Sequence, residues 1–110
     1  MSTHNFAEFI RLLDVATERQ RAHWEPTEDE DCFQVRLGPE LLRLSQSTYR
    51  ESYLLELIDP QGKVVEQYEP SGEEEIVVAR GLFKKVRMKA LNLENVIEGF
   101  FSKVKALAGE

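Results

Sequence analysis

The sequence predicts an α+β domain: a two-layer sandwich with an N-terminal helix, a four-stranded antiparallel meander and two C-terminal helices, in the order α-β-β-β-β-α-α. Three observations lead there. Apolar residues recur with a helical period near both ends of the chain. Between those ends, apolar and polar residues alternate as they do in half-buried strands. Within that region, Ser52 to Glu69 reads as a hairpin closed by Asp59-Pro60-Gln61-Gly62. In that turn Pro60 presets φ, Asp59 accepts hydrogen bonds ahead of it, and Gly62 is free to take a positive φ. The chain has 110 residues, 42% of them apolar, which suits a single domain (1–110) with one core.

The first helix starts at Asn5, spaced from Glu8 as a capping box, and its apolar stripe is Phe6, Phe9, Ile10, Leu13 and Ala16. Pro26 forbids its continuation, and Trp24 is expected to anchor its end against the sheet. The run from Glu25 to Asp31 has carboxylates at five of seven positions and is expected to stay solvated. In the first strand, Phe33, Val35 and Leu37 share one face, and Gly38-Pro39 turns the chain. Leu41 to Gln46 fits either a helical turn or a strand. The strand is preferred, with Leu42 and Leu44 inward, and a polar loop over 47–51 follows. In the third strand Tyr53, Leu55 and Leu57 face one way and Leu54, Glu56 and Ile58 the other. Its partner, Lys63 to Tyr68, turns inward either Val64 and Tyr68 or Val65 alone with its neighbours, and the first is preferred.

The second helix opens after Ser71-Gly72 with Glu73, Glu74 and Glu75 at its positive end. Its stripe is Ile76, Ala79, Leu82, Phe83, Val86 and Ala90. Asn92 breaks it and caps a third helix, whose stripe is Val96, Ile97, Phe100, Phe101, Val104 and Leu107. Gly109 stops that helix. All three stripes are expected on one face of the sheet, the large apolar surface available to them. Gly81 and Gly99, each costing about 1 kcal/mol against alanine in a helix, mark either a close approach of the last two helices or local weakness.

Several functions are disfavoured. A net charge of −6 opposes non-specific binding to nucleic acid or an anionic membrane. No apolar run approaches membrane-spanning length. The first residues lack a signal-peptide pattern, so the expected location is the cytoplasm. The one cysteine, Cys32, forms no internal disulfide, and one Cys with two His falls short of a structural zinc set. A Cys32–His23 nucleophile pair is disfavoured because acidic surroundings raise a thiol pKa. The acidic run lacks the residue order of an EF-hand loop, and no glycine-rich phosphate loop is present. Hence no catalytic residue, cofactor or metal ligand is expected, and the chain reads as a non-catalytic protein-interaction module, an accessory or adaptor.

Two surfaces are candidates for a partner. One is the outer sheet face at Leu54 and Ile58, with Val65, or the terminal helices, where self-association as a homodimer is plausible. The other is a basic face at Arg80, Lys84 and Arg87, spaced i, i+4, i+7 and extendable by Lys103 and Lys105. That face makes nucleic-acid binding the alternative function. Acidic residues from Glu25 to Asp31 and Glu66 to Glu75, set against basic ones from Arg80 to Lys89, give a bipolar charge layout suited to steering a protein partner. In size and acidity the chain also resembles small acidic secretion chaperones, which place helices on an antiparallel sheet. Two adjacent helices at the end of this chain depart from their order of elements.

Overall fold

The computed structural model describes residues 4–47 and 52–110 and shows the expected α+β arrangement, with one strand more than the sequence suggested. The elements are α1 (Phe6–Glu18), β1 (Trp24–Pro26), β2 (Cys32–Leu37), β3 (Glu40–Ser47), β4 (Ser52–Ile58), β5 (Val64–Tyr68), α2 (Glu73–Ala90) and α3 (Leu93–Leu107). The strands form one antiparallel sheet in chain order. Most of the polar loop expected over 47–51 lies outside the described residues.

The extra strand, β1, pairs Trp24 with Val35 and Pro26 with Phe33. Pro26 therefore ends an edge strand, where its missing N–H breaks no central ladder. Trp24 is buried, and its indole N–H donates to the Thr17 hydroxyl at 2.9 Å. That hydroxyl in turn donates to the Leu13 carbonyl at 2.7 Å. One buried threonine thus joins the last turn of α1 to the sheet edge. Thr17→Val leaves the indole N–H unpaired in the core, so urea unfolding is expected to show a loss of about 1–3 kcal/mol. Thr17→Ser, which keeps the hydroxyl, is expected to lose less.

Local signals set the boundaries. Asn5 Oδ1 accepts from the Glu8 N–H at 3.0 Å, while the Glu8 carboxylate turns to the His4 ring. At the hairpin, Asp59 Oδ1 accepts from the Gln61 and Lys63 N–H groups at 3.0 and 2.9 Å, and Gly62 takes φ 86°. Gly72 caps α2 at φ 116°, and Glu75 reaches back to the backbone N–H and hydroxyl of Ser71. The segment Leu41–Gln46 lies within strand β3.

The core lies between the sheet's inner face and the first two helices. Phe33, Val35, Leu42, Leu44, Tyr53 and Leu55 meet Phe6, Ile10 and Leu13 of α1 and Ala79, Leu82, Phe83 and Val86 of α2. Phe83 sits 5.5 Å, centroid to centroid, from both Phe33 and Tyr53. Lys85 ties the two helices together, 3.0 Å from Asp14 and 2.6 Å from Glu18. The hydrogen bonds that its ammonium donates, first to Glu18 and then to Asp14, raise its pKa.

Three expectations are corrected. Val64 does not share the inner face with Tyr68. A register shift between Leu57 and Ile58 pairs Val64 with Ile58, and one step of register changes the face a side chain takes. Of the two readings of Gly81 and Gly99, close approach is removed and local weakness stands, since a Cβ at either would meet nothing within 4 Å. Third, α3 does not lie on the sheet. None of its residues is buried, its principal neighbour is α2, and the molecule extends 63 Å along one axis against 32 and 28 Å across. The reason is room. Five strands about 4.8 Å apart make a face roughly 19 Å wide, which two helices about 10 Å in diameter cover. α1 and α2 occupy it.

Candidate interaction surface

α3 begins where Asn92 takes a left-handed conformation (φ 52°, ψ 41°) and breaks the line of α2. Glu94 in its first turn and Lys105 in its last complement the helix dipole. Leu93, Ile97, Phe100, Val104 and Leu107 follow one another at steps of four, three, four and three, the spacing of a coiled-coil seam. Val96 and Phe101 flank it. From Val96 to Leu107 these side chains are 44 to 88% exposed. Glu94 and Glu98 stand in the N-terminal half, and Lys103 and Lys105 in the C-terminal half. The Lys103 ammonium lies 5.9 Å from the centroid of the Phe100 ring.

The residues singled out from the sequence fall elsewhere. Arg80, Lys84 and Arg87 are exposed on α2. Lys84 lines a hollow of about 550 Å³ with Gly81, Lys89, Asn92 and Glu94 at the junction with α3. Lys85 also borders that hollow, with its ammonium paired to Asp14 of α1. The outer sheet face is less apolar than expected. Leu54 is half-buried, and Glu56 separates it from Ile58, which is only 3% exposed beside Leu41 and Val64 and so unavailable to a partner. Val65 is exposed. Arg43 donates to Gln34, Gln34 to Glu25 and Gln67 to Glu56, so much of that face is polar.

Cys32 is buried on that same face, paired with Ser45. Burial pushes its thiol pKa up, more than the hydrogen bond from Thr27 and the charge of Arg43 pull it down. The thiol therefore stays protonated and weakly nucleophilic at neutral pH. His23 lines a different hollow, beside Gln20 and Trp24. Among the described residues, no group of three or more His, Cys, Asp and Glu is placed to hold a metal ion, and no helix is long and apolar enough to cross a membrane.

Comparison with protein-family models, with curated proteins and with solved structures finds no match. The apolar stripe of α3 was visible in the sequence. The terminal helices were also read as a possible pairing surface, but which stripe stays uncovered was not legible, because periodicity shows that a face is apolar without showing what covers it.

Proposed function

We propose that the protein is a non-catalytic protein-interaction module, an accessory or adaptor, whose contact element is α3. The observation that carries this reading is the row of large apolar side chains on α3, exposed along a helix that stands off a core already closed by α1 and α2. Contiguous apolar surface of this extent marks a binding site on a soluble protein far more often than it is left bare. A hollow beside it is rimmed by lysines, and burial raises the pKa of the Cys32 thiol.

The test replaces Phe100 and Val104 together by Gln. Both side chains are exposed, so unfolding of the core in dilute solution, followed by the fluorescence of buried Trp24, should match the parent. Cross-linking in an extract of the source cells, read by mass spectrometry, should join α3 to a protein partner in the parent and not in the variant. Cross-links unchanged by the substitution would count against the reading.

A second reading is nucleic-acid binding through α2, favoured by the exposed positions of Arg80, Lys84 and Arg87. The net charge of −6 opposes it. A salt-dependent gel-shift that disappears when all three become Glu would favour it over the first.

A further inference from the structure

We propose that the occupant of the α3 face is α3 of a second copy of this chain, paired antiparallel about a two-fold axis near Phe100. The inference rests on the interaction reading above and goes further by naming the partner. Charge is the first argument. An antiparallel pair brings the acidic N-terminal half of α3 in one copy, with Glu94 and Glu98, alongside the basic C-terminal half in the other, with Lys103 and Lys105, on both sides of the axis. A parallel pair sets like charge beside like. The helix dipoles oppose one another in the same arrangement.

Area is the second argument. Val96, Ile97, Phe100, Phe101, Val104 and Leu107 are exposed to a degree that leaves roughly 700 Å² of mostly apolar surface per copy. A specific interface buries about 800 Å² per partner, whereas the largest apolar patch on an ordinary monomer is roughly 300–600 Å². Seam spacing is the third. The four-three repeat is the one that lets two helices interlock side chains along their length. Helix stability points the same way. Fifteen residues that bury no side chain and include Gly99 make a marginal helix alone, and burying the seam supplies what is missing.

The experiment is sedimentation equilibrium of the full chain from low to high micromolar concentration. The apparent mass is expected to rise from that of the 12.7 kDa chain towards twice it. Phe100→Asp should raise the dissociation constant at least about a hundredfold. Glu94→Lys with Glu98→Lys, and separately Lys103→Glu with Lys105→Glu, should each raise it about tenfold or more, and an equimolar mixture of the two should recover parental association. Orientation is read in a Cys32→Ala background. Under mild oxidation Glu94→Cys chains mixed with Lys105→Cys chains should give the mixed disulfide, and neither should give much alone.

A parent that stays monomeric throughout overturns the proposal. If such a monomer still loses its cross-linked partner on replacing Phe100 and Val104, only the occupant was wrong; if it has no such partner, the interaction reading falls too. Association that survives Phe100→Asp places the interface elsewhere and overturns it. So does disulfide formation by each cysteine variant with itself, which indicates a parallel pair. Binding of a monomer to acidic phospholipid vesicles through α3 would also overturn it.

Discussion

Phe83→Ala is expected to lower the free energy of unfolding by about 3–5 kcal/mol. Phe83 is the point at which α2 enters the sheet. It is buried, and its ring stands 5.5 Å from Phe33 on β2 and from Tyr53 on β4, tilted 58° and 51° to them. Tilted ring pairs at this distance contribute about 0.5–1.5 kcal/mol each beyond the area they bury. Truncation therefore removes the transfer free energy of a phenyl group and two ring contacts, and leaves a void between elements too well packed to close over it. A domain of this size has about 5–15 kcal/mol in hand, so the variant should be marginal at room temperature. Phe83→Leu refills most of the void and should lose appreciably less. Urea unfolding of the two variants beside the parent measures the difference. Equal losses would mean that refilling the void regains nothing and that the ring contacts carry the loss.

How much of this was legible in the sequence follows from the range of each interaction. The capping asparagine Asn5, the Asp59-Pro60-Gln61-Gly62 turn and the stripes of α1 and α2 were legible because each is settled within a few neighbouring residues. β1 was missed because it is three residues long, leads into an acidic run and ends in Pro26. What makes it a strand is pairing with β2, and the tryptophan–threonine bond that holds its start is formed across seven residues. Val64 was placed on the wrong face, and Ile58 taken as available, because one shift of register in β4–β5 lies outside any strict alternation.

The error on α3 is of another kind. Its stripe has the same spacing as that of α1, and nothing in either stripe says which one the sheet can take. That is decided by the width of the sheet and by the helices already on it. The face sequence reasoning assigned to the interior is the one left outside, and it became the candidate site for that reason. Of the basic residues expected to form a partner surface, Arg80, Lys84 and Arg87 are indeed exposed. Lys85 between them serves α1 instead, since a helix distributes successive residues around its axis.

Amide hydrogen exchange resolved by residue and followed at two protein concentrations reads the position of α3 most directly. In dilute solution the α3 amides should exchange quickly, because none of its residues is buried to restrain local opening of that helix. In concentrated solution they should slow by about tenfold or more, as association removes the open form by mass action. Amides at Leu82, Phe83 and Val86 in α2 should keep the same slow rate at both concentrations, since they report the core. Slow exchange of α3 already at the lower concentration, unchanged at the higher and equal to that of α2, would contradict the account: the third helix would then be part of the interior, and its apolar row would not be a surface at all.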